Sequence, residues 1–190
     1  MKIVFIDNFD SFTHNLIHYL KITGCDVILF HHHELIANQD SILQAQGVVI
    51  GPGPNSPEDA GELMSFMKIL MDSQMPVLGI CLGQQAIGQF FGMNLKLAQA
   101  PMHGKKSEVE HNMDSLFKNI ESPMKVGRYH SLIVEQTEES KEIQILASVD
   151  QEIMAIKHTN LPVWAVQFHP ESVLTPEGQT LIQNWVDLLK

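Results

Sequence analysis

Val77-Leu-Gly-Ile-Cys-Leu-Gly-Gln-Gln-Ala86 changes character at Cys81. Before the cysteine lie apolar residues suited to a buried strand; after it lie helix formers; Gly79 and Gly83 stand two positions to either side. A strand that turns this sharply into a helix is a nucleophile elbow. It follows the logic of G-x-S-x-G, in which the turn residue is held in a strained conformation and its neighbours must lack side chains where the backbone crowds. The following helix would present its positive end to a Cys81 thiolate, and the amide N–H of Leu82 would point at a developing oxyanion. Both effects serve acyl transfer. A cysteine closing a strand can also be a small buried hydrophobe. That reading suffices for Cys25; for Cys81 the glycine bracket weakens it, and a base is needed to replace it.

Outward from the elbow, short β-rich runs alternate with longer amphipathic ones: Lys2–Ile6, Ser11–Thr23, Asp26–Phe30, Asp40–Gln44, Gly47–Ile50, Glu58–Asp72, Val77–Ile80, Gln84–Phe91. Parallel strands need long crossovers, usually helical, so this order predicts a parallel sheet with helices on both faces and ligands at the carboxyl ends of the strands. Ser11 reads as a helix cap. After Phe91 the strands follow one another without long helices: Asn94–Ala98, Lys106–Glu110, Met124–Tyr129, Ile133–Glu135, Ile145–Val149, Ile153–Lys157, Val163–Phe168. A last amphipathic segment, Glu177–Leu189, follows Pro176, which suits the first turn of a helix. The fold class is therefore α/β: an open, mainly parallel twisted sheet flanked by helices, with a smaller antiparallel portion in the second half. At 190 residues, with no linker or repeat, the chain reads as one domain over 1–190.

Val163-Trp-Ala-Val-Gln-Phe-His-Pro-Glu171 supplies the base. An apolar strand ends in His169, and Pro170 fixes a turn that can bring Glu171 onto the same imidazole. In an α/β sheet the ends of two strands far apart in sequence can meet at one edge. His169 would take the thiol proton and later protonate a leaving amine, with Glu171 orienting the ring. A metal site is the weaker reading of the chain's histidines. The tract His31-His32-His33 has no H-E-x-x-H spacing and no paired cysteines, and three consecutive side chains cannot all face one ion on a regular strand. It reads as a solvated loop, and no metal is expected.

The 22 acidic and 12 basic residues leave a formal charge of -10, which repels phosphate backbones and anionic lipid. Neither nucleic acid nor membrane is an expected partner. No apolar stretch approaches the roughly 18 residues of a membrane span, and no cleavage site follows the first strand. A cytoplasmic protein is expected, and in a reducing environment no Cys25–Cys81 bridge is expected.

The chain resembles the class I, or triad, glutamine amidotransferases through Gly79-Ile-Cys-Leu-Gly83 and His169-Pro-Glu171. Within that family it looks like the small glutaminase subunits of anthranilate synthase and aminodeoxychorismate synthase. The likeness runs through Ile6-Asp-Asn-Phe-Asp-Ser-Phe-Thr13, Pro52-Gly-Pro54, Glu58-Asp-Ala-Gly61, His103-Gly-Lys105, Arg128-Tyr-His-Ser-Leu132 and Phe168-His-Pro-Glu-Ser172. It implies a flavodoxin-like core, a Cys81-His169-Glu171 triad, and an oxyanion hole from the backbone of Gly53 and Leu82. It also implies glutamine contacts from Gly53, Pro54, Asn55, Gln85, Ser131 and Leu132. No cofactor is implied. The cycle would be attack of Cys81 on the glutamine amide, loss of ammonia, and hydrolysis of a γ-glutamyl thioester. Because the chain has no room for a chorismate-binding domain, the resemblance implies a larger synthase subunit that receives the ammonia, in a heterodimer or heterotetramer. The loops around Asp10, the His103-Gly-Lys105 segment and the strand-end face are the expected contact. The chain departs from the family pattern at three places: Gln84 stands where histidine is usual, Asn55 where glycine or cysteine often occurs, and the His31–His33 tract where an Arg-Asn-type segment is common. A γ-glutamyl peptidase would share the elbow but has no need of the His103 and Arg128 segments, and a silent binding module has no need of a triad.

Overall fold

The computed structural model covers all residues, Met1–Lys190. The first half alternates as the hydrophobic pattern requires: β1 (Lys2–Asp7), α1 (Thr13–Ile22), β2 (Asp26–His31), α2 (Gln39–Ile42), β3 (Gly47–Ile50), α3 (Leu63–Asp72), β4 (Val77–Ile80) and α4 (Leu82–Phe90). Strands then dominate, as β5 (Asn94–Leu97), β6 (Lys105–His111), β7 (Met124–Arg128), β8 (Leu132–Glu135), β9 (Ile143–Val149), β10 (Glu152–His158) and β11 (Val163–Val166), before α5 (Gly178–Asp187) closes the chain.

One nine-stranded sheet runs in the order β2-β1-β3-β4-β11-β10-β9-β6-β7, and β5 pairs with β8 apart from it. The pairs from β2 to β11 are parallel and those from β11 to β7 antiparallel. The antiparallel portion thus extends the same sheet. Strands β3 and β4 are buried at every position, as strands covered on both faces must be. The two-residue period of β1 divides the core: Ile3 and Phe5 meet α1 and α5 through Leu16, Leu20, Leu181 and Trp185, while Val4 and Ile6 meet α3 and α4 through Phe66, Leu70, Ala86 and Ile87. No helix is long and apolar enough to cross a membrane.

Four local expectations change. Ser11 is not the cap of α1: it is exposed, and the helix begins two residues later. The Asp10 carboxylate accepts from the Phe12 amide at 2.8 Å, and Asp7 accepts from the Thr13 hydroxyl at 2.6 Å, so two aspartates hold the entry turn. The helix expected over Glu58–Asp72 is interrupted at Gly61, whose φ of +50° ends a 3-10 turn at Pro57–Asp59 before α3 starts. Pro176 precedes the cap of α5 at Glu177 instead of occupying its first turn. The histidine tract is not a free loop. His31 ends β2 with Nδ1 3.2 Å from Asp7, and the rings of His31 and His33 stack on Phe9 at 4.8 and 5.7 Å.

Candidate active site

Parallel pairing of β4 with β11 sets Ile80 opposite Val166, and the Cys81 amide continues the ladder by donating to the Val166 carbonyl at 2.8 Å. Two segments far apart in sequence therefore end side by side at the carboxyl edge of the sheet. Cys81 sits in the turn with φ 54° and ψ −101°, a conformation that ordinary residues avoid, and α4 starts at the next residue. The bracketing glycines are sterically required. A Cβ on Gly83 would lie 2.3 Å from the Ile50 carbonyl oxygen, and one on Gly79 would lie 2.6 Å from the Gly83 backbone. As the first residue of α4, Leu82 presents an amide with no intrahelical acceptor beside the thiol.

Just beyond β11, His169 is anchored at both backbone ends. Its amide donates to the Gly127 carbonyl at 3.0 Å, and its carbonyl accepts from the Thr175 hydroxyl at 2.7 Å. The turn through Pro170 brings Glu171 Oε1 within 2.6 Å of His169 Nδ1, with both residues buried. The rings of Phe12 and Tyr129 pack edge-on against the imidazole at 5.4 and 5.1 Å, so it cannot swing away. Burial favours a neutral imidazole, but the Cys81 sulfur and the Glu171 carboxylate outweigh it and hold the His169 pKa well above its ordinary value. His169 is thus an avid proton acceptor beside the thiol.

A cavity of about 190 Å³ opens onto Cys81 and is lined by Gly53, Pro54, Asn55, Gln85, Ser131 and Leu132, all expected from the sequence, together with Tyr129 and His130, which were not. Its volume falls below the roughly 300–1,000 Å³ of drug-sized sites and suits a single amino acid. Gly53 is also required sterically: a Cβ there would lie 2.6 Å from that of Asn8. Asn8 in turn holds the same loop by donating to the Gly51 carbonyl at 2.8 Å. Gln85 donates to the Leu132 carbonyl at 3.1 Å, so it braces the pocket wall as well as lining it.

His130 braces the same wall. Its Nε2 accepts from Arg128 Nε at 3.2 Å, which places the ring proton on Nδ1, 3.1 Å from the Leu132 carbonyl. Burial, reinforced by the neighbouring Arg128 charge, pushes the His130 pKa down to about 4. Arg128 is itself buried and paired with Glu152. In sequence, Arg128 and His130 were visible only as parts of the Arg128-Tyr-His-Ser-Leu132 stretch that carries the family resemblance; an arginine inside a strand is the signal that could have marked them. Gln84, the departure beside Gln85, is fully buried and turns away from the cavity, donating to the Ile153 carbonyl at 3.3 Å.

Comparison with known proteins agrees with this geometry. The family described as glutamine amidotransferase class-I matches residues 4–188. Anthranilate synthase component 2 of Azospirillum brasilense is 37% identical over 186 residues, covering 97% of this chain and 95% of that protein. Aminodeoxychorismate synthase component 2 of Escherichia coli (strain K12) is 39% identical over 185 residues, covering 97% of this chain and 98% of that protein. A solved protein of Thermoplasma acidophilum described as a GMP synthase subunit superposes with a TM-score of 0.89 over 100% of this chain and 94% of its own, at 24% identity, a likeness of fold. The chain belongs to the class I glutamine amidotransferases.

Proposed function

We propose that residues 1–190 form one glutamine amidotransferase domain that hydrolyses glutamine for a chorismate-using synthase, with Cys81, His169 and Glu171 as its triad. The observation that carries this reading is the sharing of one amino-acid-sized cavity by the Cys81 turn and the Gly53, Gln85 and Ser131–Leu132 walls, with the His169–Glu171 pair behind the sulfur. His169 accepts the thiol proton as Cys81 attacks the amide carbon; the amides of Gly53 and Leu82 receive the oxyanion; the imidazolium returns its proton to departing ammonia. Water then attacks the thioester with His169 again as base, releasing glutamate. Every proton transfer uses a side chain already present, so the cycle calls for no cofactor or metal. The small cavity favours free glutamine over γ-glutamyl peptides.

The relatives' names, each a component 2, support a partner subunit that consumes the ammonia. Anthranilate synthase, of the tryptophan branch, is the first reading. Aminodeoxychorismate synthase, of the folate branch, is the second, favoured by the equally similar Escherichia coli relative. Reconstitution with each chorismate-using partner, followed by identification of 2-aminobenzoate or 4-amino-4-deoxychorismate, separates them. Failure to release ammonia from glutamine with either partner overturns the proposal.

A further inference from the structure

We propose that Gln167 is a catalytic residue, a second hydrogen-bond donor to the Cys81 sulfur, held in that orientation by Gln85. The inference rests on the reading of Cys81 as nucleophile. Because Val166 lies opposite Ile80 in parallel register, the next residue on each strand brings Gln167 beside Cys81. Its Nε2 lies 3.6 Å from the sulfur, within the range of an N–H···S contact, and the residue is wholly buried. A glutamine at the end of Val163-Trp-Ala-Val is costly there unless its amide is paired. Its side chain bonds only to Cys81 and to Gln85.

The pairing fixes which way the amide points. The Leu132 carbonyl can only accept, so Gln85 must present its NH₂ group there, at 3.1 Å. The second hydrogen of the same NH₂ group then reaches Gln167 Oε1 at 3.4 Å, which leaves Gln167 Nε2 toward the sulfur. A pocket-wall carbonyl thereby sets the polarity of a donor to the nucleophile. An N–H donor interacts far more strongly with a thiolate than with a neutral thiol. Gln167 therefore stabilises the sulfur whenever it carries charge, before attack and again when the thioester is cleaved. It gives up no proton, since the proton itself shuttles between the sulfur and His169. Val166 and Phe168 flank it in the chain, and Cys81, His169, Glu171, Tyr129 and His130 are the titratable groups at this edge.

The test is alkylation of Cys81 by iodoacetamide as a function of pH, followed site by site by mass spectrometry in the full-length chain. Gln167→Met keeps the length and removes the donor; it should move the alkylation midpoint up by about one pH unit, as loss of a charge-assisted bond implies. Gln167→Glu, of the same shape but anionic, should move it further. Gln85→Met, which frees the Gln167 amide to flip and also removes the brace on the Leu132 carbonyl, should move it in the same direction by less. With the synthase partner present, Gln167→Met should lower glutaminase kcat roughly tenfold with KM for glutamine unchanged. An unmoved alkylation profile in a Gln167→Met chain with wild-type thermal stability overturns the proposal, as does a rise in KM alone. Should Gln167→Met fail to fold, an unmoved profile in Gln85→Met overturns it. If the pH shift occurs but a glutamine-analogue electrophile does not label wild-type Cys81, the nucleophile reading fails and the hydrogen bond stands.

Discussion

Gly83 rides directly on the carbonyl of Ile50: a Cβ at position 83 would meet that oxygen at 2.3 Å, with backbone on both sides of the contact. Neither β3 nor α4 can yield without disturbing the sheet. Gly83→Ala should therefore cost about 3 kcal/mol or more, at or beyond the upper end of ordinary overpacking. Gly24 makes the contrast, with φ +85° but nothing within 4 Å of where a Cβ would stand. Gly24→Ala should cost only about 1 kcal/mol of backbone strain. Urea unfolding of the two variants checks the difference; equal losses would mean that the close approach is not what demands glycine at 83.

Glu171 holds His169 Nδ1 at 2.6 Å, and Phe12 and Tyr129 already confine the ring. Glu171→Gln preserves the shape and removes the charge that stabilises imidazolium. Glutaminase kcat with the partner present should fall by about 10²- to 10⁴-fold while KM for glutamine stays within a few-fold, because the residue lies behind the histidine and outside the cavity. Steady-state kinetics over a range of glutamine concentrations checks this, and a large KM change would place Glu171 in substrate binding instead.

The elbow and the strand-end histidine were readable because each is a local pattern with a steric or chemical reason: glycines two residues from Cys81, and a proline turn joining His169 to Glu171. The βα alternation was readable for the same kind of reason, since buried parallel strands leave continuous apolar runs. Gln167 was not. In sequence it is one polar residue in a strand, and only the parallel register of β4 and β11 places it at Cys81. Arg128 and His130 escaped in the same way, because their partners Glu152 and Leu132 are brought to them by sheet order and a turn. Helix ends moved where aspartates or a positive-φ glycine outweighed the hydrophobic period, at Asp7, Asp10 and Gly61.

His130 and His169 should give stability opposite pH slopes in separate windows. His130 titrates near 4 in the fold against about 6.5 unfolded, so between these values the unfolded chain binds the extra proton and stability falls as pH drops. Over about 2.5 units that amounts to roughly 3 kcal/mol. His169 is shifted upward, so its contribution is fully present below about 6.5 and is lost as pH rises through its folded pKa. His130→Gln should flatten the acidic limb, and His169→Gln the alkaline one, in denaturant midpoints measured from pH 4 to 9. An acidic limb unchanged in His130→Gln would show that the loss comes from other groups.

Arg128 and Glu152 form a buried pair that does two jobs, neutralising each other and setting the tautomer of His130. Removing one partner strands a charge in the interior, so Arg128→Met alone should cost about 3–5 kcal/mol. Replacing both, as Arg128→Met with Glu152→Leu, leaves no stranded charge and should recover much of that loss. Function should not follow stability, because the double variant still lacks the Arg128 Nε–H that places the proton of His130 toward the Leu132 carbonyl. The expected outcome is a folded chain whose KM for glutamine is raised while Cys81 alkylates at the wild-type rate. A double variant with both wild-type stability and wild-type KM would leave the ion pair no part in shaping the pocket.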